Sequence, residues 1–211
     1  MERLDLPQGL TIFSGPKRSF KTNFTLKWAN HLAKTQKVWH LNWGYYTEKK
    51  RKNLRRMGEE ISPNLKLETP FEAMDTNAFV DIFEKVEKEK IDIVFFDDVW
   101  LRQYDCVTNH FRNSELPLVK LLSFMAQKLK IKVILVTEVN PFFRYEPLIV
   151  EAKLSSFNFP RYTVIHSQQI YFMNTPQPEF GKMAAPYEFE IFSLKNAEHR
   201  EFVIEFREEM L

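Results

Sequence analysis

Cysteine and long apolar runs are scarce in this sequence. The single cysteine, Cys106, excludes an internal disulfide framework and suits a reducing compartment. No apolar run approaches the roughly 18 residues that a membrane span needs, and the first residues contain no signal-peptide core. We therefore expect an intracellular, cytoplasmic protein without a membrane partner.

An excess of charge of one sign is also absent. The chain has 30 Lys and Arg against 28 Asp and Glu, so its net charge is only +2. This value is too small to indicate nucleic-acid binding by the protein as a whole, and any such binding must depend on local patches. The 5 histidines show no metal-ligand spacing, so the sequence contains no zinc motif.

What the chain does contain is aromatic residues. With 20 Phe and only 5 Gly in 211 residues, we expect one domain whose core is built largely of aromatic side chains. Changes in pattern along the chain predict a core over residues 8–140, a loop region over 138–160 and C-terminal strands over 161–211.

Apolar runs alternate with helical patterns through the first two thirds of the chain. Such alternation predicts βαβ units and an α/β fold with a mainly parallel central sheet. The candidate strands are 10–13, 38–41, 65–67, 91–96 and 131–137. The candidate helices run from the first strand to about Lys34, from a cap at Thr47, from a cap at Asp75 to about Lys90, and from a cap at Ser114.

The remaining segments have other patterns. Residues 99–113 and 138–160 show no clear period, which indicates loops. Residues 169–173, 187–194 and 201–206 alternate like strands, and the turn residues of 196–199 predict an antiparallel hairpin at the C-terminus.

A phosphate-binding motif follows the first strand. The pattern G-x-x-x-x-G-K-[ST] places main-chain N–H groups, a lysine and a hydroxyl around phosphate and Mg²⁺. Lys21 would reach the phosphates and Thr22 would hold Mg²⁺, but Phe20 stands where the second glycine belongs. The alternative is a strand–helix turn that contains Lys-Thr without binding phosphate. The candidate cofactor-binding residues are Gly15, Pro16, Lys17, Arg18, Ser19, Phe20, Lys21 and Thr22.

A second acidic signal follows the apolar run 91–96. Asp97 ends this run, and Asp98 comes directly after it. In P-loop proteins, a carboxylate at this place belongs to the Mg²⁺ shell. The alternative is an acid that only caps a helix or lies in a loop.

Together these motifs resemble the RecA-type ATPase core, and most closely the motor domain of DnaB-type replicative helicases. The resemblance rests on residues 15–22, on the block from 91 through 140, and on the closing hairpin. It implies a RecA-like P-loop fold, ATP and Mg²⁺ as cofactors, and Asp97 as a catalytic and metal-binding residue.

The chain departs from that family at several positions. The family's catalytic Glu after the second strand is replaced by the segment 42–44, Asn-Trp-Gly, and its phosphate-sensing Gln by Glu138. Lys195 matches the family's trans-acting Lys, whereas its Arg has only a shifted substitute in Arg200. Because such an Arg is worth factors of about 10³ or more in rate, we expect weak or lapsed hydrolysis.

Nucleic acid, single-stranded DNA above all, is the partner that the resemblance implies. Basic residues with interleaved aromatics suit single-stranded binding, although the aromatics equally suit a core or a subunit contact. A basic run in the second helix is either a phosphate contact or a solvated face. The candidate residues are Arg102, Arg112, Arg144, Lys153, Lys49, Lys50, Arg51 and Lys52.

The sequence therefore predicts an ATP-binding RecA/DnaB-like domain that acts with nucleic acid as an accessory or motor-like subunit in replication or recombination. Its partners would be other replication or recombination proteins, in a homo- or hetero-oligomer. Because few residues precede the first strand, we expect an accessory subunit or a core from a phage or mobile element. The alternative is a non-catalytic pseudo-ATPase that serves as a protein-interaction module. A P-loop kinase fits less well, because the ending is all β and no Arg-rich lid is present.

Overall fold

The structure is a computed structural model. It describes residues 4, 6–15, 20–44, 46–71, 74–99, 101–105, 110–138, 161–174, 187–194 and 198–204.

Ten strands and five helices occupy the described residues. The strands are β1 (Gly9–Gly15), β2 (Val38–Asn42), β3 (Leu65–Glu68), β4 (Ile93–Asp97), β5 (Leu101–Asp105), β6 (His110–Ser114), β7 (Lys132–Glu138), β8 (Gln169–Asn174), β9 (Tyr187–Ser193) and β10 (Glu198–Ile204). The helices are α1 (Lys21–Leu32), α2 (Thr47–Arg56), α3 (Thr76–Glu89), α4 (Glu115–Leu129) and α5 (Arg161–His166).

The main sheet has 8 strands in the order β10-β9-β8-β1-β7-β4-β2-β3. The strands from β8 to β3 pair in parallel, whereas β9 and β10 pair antiparallel. The prediction of an α/β fold with a mainly parallel sheet is confirmed. The sequence order of neighbouring strands shows why helices separate them, since parallel neighbours need a crossover.

The core lies on both faces of this sheet, in two apolar clusters. The cluster under α1 is aromatic: Phe13 stacks on Phe24 with ring centroids 5.2 Å apart, and Trp28 meets Phe95 edge-on at 5.7 Å. These rings are fully buried. Period-four spacing on α1 places Phe24 and Trp28 on the face that packs on the sheet, so the expected aromatic core is present here.

Helix starts were only partly predictable. Asp75 is the N-cap of α3, and its carboxylate accepts a hydrogen bond from the main-chain N–H of Ala78 at 2.9 Å. The predicted cap of α2 is wrong by one residue, because Tyr46 is the N-cap and Thr47 already lies in the helix. The hydroxyl of Thr47 instead lies 3.4 Å from that of Thr69.

The prediction of a loop over residues 99–113 is wrong. β5 and β6 form an antiparallel pair there, which is a second, two-stranded sheet. The short helix α5 was also not predicted, and β10 begins at Glu198 rather than at 201. Of the predicted loop 138–160, residues 139–160 lie outside the described residues. Within the described part of the chain, no helix is long and apolar enough to cross a membrane.

Candidate nucleotide-binding site

Four neighbouring strands of the sheet end at one edge. Gly15 of β1 is paired with Glu138 of β7, and Asn42 of β2 is paired with Asp97 of β4. Carboxyl ends of parallel strands are the usual place for a ligand site in α/β folds. The predicted site residues Gly15, Asp97 and Glu138 therefore lie at the same edge of the sheet.

Lys21 lies in the first turn of α1, directly beside this edge. Its side chain is buried, and its Nζ donates a hydrogen bond to the main-chain oxygen of Gly15 at 3.0 Å. Burial lowers the pKa of Lys21, while the charges of Glu138, Asp97 and Asp98 act in the opposite direction. A cation thus lies at the end of β1 with three carboxylates around it.

Thr22 and Asp97 come together although 75 positions separate them in the sequence. The side chain of Asp97 is buried, and burial raises its pKa to about 6. Hydrogen bonds from the side chains of Asn42 and Thr22 partly offset this rise, because they stabilise the ionised carboxylate. The helix that carries the candidate motif and the strand that carries the acid therefore meet at Thr22 and Asp97.

The donor set fits Mg²⁺. A threonine hydroxyl and an aspartate carboxylate are oxygen ligands, and Mg²⁺ is usually held by one or two carboxylates together with substrate phosphates. Consistent with this, no group of three or more His, Cys, Asp or Glu that could hold a metal ion occurs among the described residues. Thr22 and Asp97 are the residues that would hold the ion.

Phe20 has the backbone of a glycine at this position. It is the N-cap of α1 with φ 60° and ψ 17°, the left-handed region that favours glycine. Its ring is partly buried against the apolar cluster that contains Phe13 and Phe24. The side chain thus has a place in the core, while Pro16, Lys17, Arg18 and Ser19 lie outside the described residues.

Solved structures of ATPases share this architecture. The ATPase domain of a DnaB helicase matches with a TM-score of 0.68 and 12% identity over 98% of this chain and 84% of that one. The RadB recombinase matches with a TM-score of 0.58 and 17% identity over 94% of this chain and 88% of that one. The chain has the RecA-type P-loop ATPase fold.

A third match is to a DnaB-like replicative helicase, solved in a study of its interactions with primase. The TM-score is 0.65 and the identity 12%, over 96% of this chain. The chain spans 57% of the length of that helicase chain. No protein-family model and no curated protein matches the sequence. The expected RecA-like fold is confirmed by structure alone, at identities where sequence comparison finds nothing.

The RecA-type core of this chain contains a buried polar group that sequence reasoning missed. His40 is buried in β2, stacks on Phe95, and has its Nε2 3.9 Å from Asp97 Oδ2. Burial, assisted by the charge of Lys50, lowers the pKa of His40 to about 3. The imidazole is therefore neutral at physiological pH, and its approach to Asp97 is not an ion pair.

Lys50 does not fit the prediction of an exposed basic face. Its side chain is fully buried, and its ammonium donates to the main-chain oxygen of Glu68. Burial lowers the pKa of Lys50 to about 8, against the charges of Asp97 and Glu68. The reason is helical geometry: Lys50 shares the inward face of α2 with Leu54, four residues on, which is also buried. Lys49, Arg51 and Lys52 are exposed, as predicted.

The other predicted residues are distributed over the C-terminal half. Arg102 lies in β5 opposite Asn113, Arg112 lies in β6 opposite Gln103, and Arg200 lies in β10 opposite Ile191. Arg144, Lys153 and Lys195 lie outside the described residues. The structure therefore brings together the predicted nucleotide residues that it describes, and does not bring the predicted nucleic-acid residues into one cluster.

Proposed function

We propose that this protein binds ATP with Mg²⁺ at the edge formed by β1, β4 and β7. It would act with single-stranded DNA as an accessory or motor-like subunit in replication or recombination, with weak hydrolysis. The single observation that carries the nucleotide proposal is the hydrogen bond between Thr22 and Asp97 beside the buried Lys21. A mere strand–helix turn gives no reason for these three side chains to converge.

Each residue has a defined task in this proposal. Lys21 exchanges the oxygen of Gly15 for phosphate oxygens, which are stronger acceptors for an ammonium group. The first main-chain N–H groups of α1 point to the same place, and the helix dipole favours negative charge there. Thr22 and Asp97 hold Mg²⁺, whose charge neutralises the phosphates. Glu138, which is exposed at the end of β7, would contact the γ-phosphate side of the nucleotide.

The DNA part of the proposal rests on charge. Lys49, Arg51 and Lys52 are exposed on α2, and exposed cations on one helix suit a phosphate backbone. The similar structures include a replicative helicase and a recombinase, which is why replication or recombination proteins are proposed as partners in a homo- or hetero-oligomer. The trans-acting roles of Lys195 and Arg200 and the DNA contacts of Arg102, Arg112, Arg144 and Lys153 belong to the same proposal.

The first experiment is equilibrium binding of a fluorescent ATP analogue, with and without Mg²⁺. Micromolar binding by the wild type is expected, with loss in Lys21→Ala and loss of the Mg²⁺-dependent part in Thr22→Val. Lys34→Ala is the matched control, because Lys34 is exposed just beyond α1. Circular dichroism of each variant checks the fold. Equal affinity in wild type and Lys21→Ala contradicts the proposal.

The second candidate is a RecA-fold pseudo-ATPase that serves as an interaction module. It is favoured by the segment 42–44, which has no carboxylate after β2. The two candidates differ in turnover. Hydrolysis that single-stranded DNA stimulates and Asp97→Asn removes excludes the pseudo-ATPase, whereas nucleotide binding without turnover supports it.

A further inference from the structure

Asp98 has an unusual backbone at the site edge. It directly follows Asp97 at the end of β4, its side chain is exposed, and its φ is 55°. Left-handed backbone costs a residue with a Cβ roughly 1–2 kcal/mol, and Asp and Asn tolerate it better than other such residues. Such residues often occur at functional sites, where surrounding structure holds them in place.

The Asp98 carboxylate occupies the space beside Gly44. A Cβ added at Gly44 would lie 2.2 Å from Asp98 Oδ2, which is far below any real contact. The neighbouring strands explain this proximity: Asn42 is paired with Asp97, and the N–H of Trp43 donates to the Asp97 main-chain oxygen at 3.2 Å. The absence of a side chain at residue 44 therefore makes room for the carboxylate.

This position is close to the proposed phosphate site. The charge of Asp98 acts on both Lys21 and Asp97. The strand β2 itself ends in Asn-Trp-Gly, so its own end presents no carboxylate. A carboxylate from β4 is instead placed against the end of β2, exposed to solvent and on the side of the sheet edge where Lys21 lies.

We propose that Asp98 is the carboxylate that orients the attacking water for ATP hydrolysis, an inference that rests on the proposed ATP binding. Asp98 accepts a hydrogen bond from the water. The water oxygen bonds to the γ-phosphorus while the bond from that phosphorus to the bridging oxygen breaks. The bond's electron pair leaves with ADP, and the proton that the water loses ends on the phosphate product. Positioning of the nucleophile is the main task of such a residue in phosphoryl transfer.

Two substitutions test this role without removing a residue from the binding machinery. Asp98→Asn keeps the shape and the left-handed backbone and removes the charge. Gly44→Ala keeps Asp98 but places a methyl group where its carboxylate lies. Asp81→Asn, at an exposed site on α3, is the matched control. ATP turnover is measured by phosphate release with and without single-stranded DNA, with Lys21→Ala as the blank, beside Mg²⁺-ATP affinity and thermal unfolding.

The expected result separates turnover from binding. Asp98→Asn should lower kcat by about 100-fold or more, the lower range for a positioned acid–base group, and Gly44→Ala by at least about 10-fold, since a displaced group loses its orientation. Both should bind Mg²⁺-ATP within threefold of wild type (~0.6 kcal/mol) and unfold at a similar temperature. A merely structural Asp98 would change the unfolding temperature and leave kcat unchanged.

Three outcomes overturn the inference. The first is binding without turnover in the wild type, which leaves the proposed nucleotide site intact. The second is a kcat for Asp98→Asn within threefold of wild type (~0.6 kcal/mol). The third is absence of nucleotide binding in the wild type, which removes the proposed function itself.

Discussion

The ammonium group of Lys21 donates to the main-chain oxygen of Gly15 across 3.0 Å, so that the two ends of the candidate loop are held together by the residue that would bind phosphate. The cation is buried, and burial lowers its pKa despite three nearby carboxylates. Folding therefore disfavours this charge. A charge retained at a cost to stability is typical of a functional site.

Lys21→Met should separate stability from function. The unfolding free energy at pH 7 should equal or exceed that of the wild type, because the lowered pKa of Lys21 means that the charged form is more stable in the unfolded chain. Nucleotide binding should be lost. Urea denaturation and the binding titration measure the two quantities, and destabilisation by more than about 1 kcal/mol would contradict this account of the charge.

The backbone of Phe20 can be tested by comparing two replacements. Phe20→Ala loses the packed ring and keeps a Cβ in the left-handed region, whereas Phe20→Gly loses the ring and relieves the backbone. Gly should therefore be more stable than Ala by about 1 kcal/mol. At the exposed helical site Lys85, the order should reverse by about the same amount. The same order at both sites would mean that the backbone of residue 20 is not strained.

Acid stability should depend on two opposing groups, His40 and Asp97. The pKa of Asp97 is raised from 3.8 to about 6, so protonation stabilises the folded state as the pH falls through 6. The pKa of His40 is lowered from 6.5 to about 3, so stability is lost as the pH falls below 6.5. The two effects should nearly cancel between pH 6 and 4 in the wild type.

Each single substitution should reveal the other group. Relative to wild type, His40→Phe should gain stability on acidification from pH 6.5 to 4.5, and Asp97→Asn should lose it. The limit is about 1.4 kcal/mol per pH unit for one proton. Urea denaturation at several pH values gives both slopes, and slopes parallel to wild type in both variants would rule out the proposed titrations.

The exposed and buried lysines of α2 should differ in DNA binding. Replacing Lys49, Arg51 and Lys52 together by Gln should weaken binding of a single-stranded oligonucleotide and reduce the slope of log K against log salt by about 2, because each single-strand contact contributes about 0.7. Lys50→Met should leave this slope unchanged, since Lys50 is buried. If the triple variant keeps the wild-type slope, this face of α2 is only solvated.

Several features could be predicted because they depend on neighbours in sequence. The apolar runs of β4 and β7, the amphipathic face of α1 and the capping aspartate Asp75 are local patterns, and the structure confirms them. The hairpin of β5 and β6 could not be predicted in this way, because its pairing joins residues whose own pattern shows no clear period.

The motif residues Lys21 and Thr22 and the acid Asp97 were identifiable from the sequence, since strand–loop–helix and strand-end patterns mark them. Their meeting was an expectation from resemblance, and the strand order of the sheet produces it. Three other features depend on contacts between distant segments. They are the burial of Lys50 against Glu68, the approach of His40 to Asp97, and the space beside Gly44 that Asp98 fills.

The sequence by itself determined the alternation of strands and helices and the kinds of side chain at each strand end, because propensity, periodicity and capping act over a few residues. Only the tertiary structure decided which strand ends are neighbours, which lysine of a basic helix faces inward, and that the ring of Phe20 packs in the core. The physical reason is that burial and electrostatic coupling depend on distances in space. Those distances are set by the order and register of strands that lie far apart in the chain.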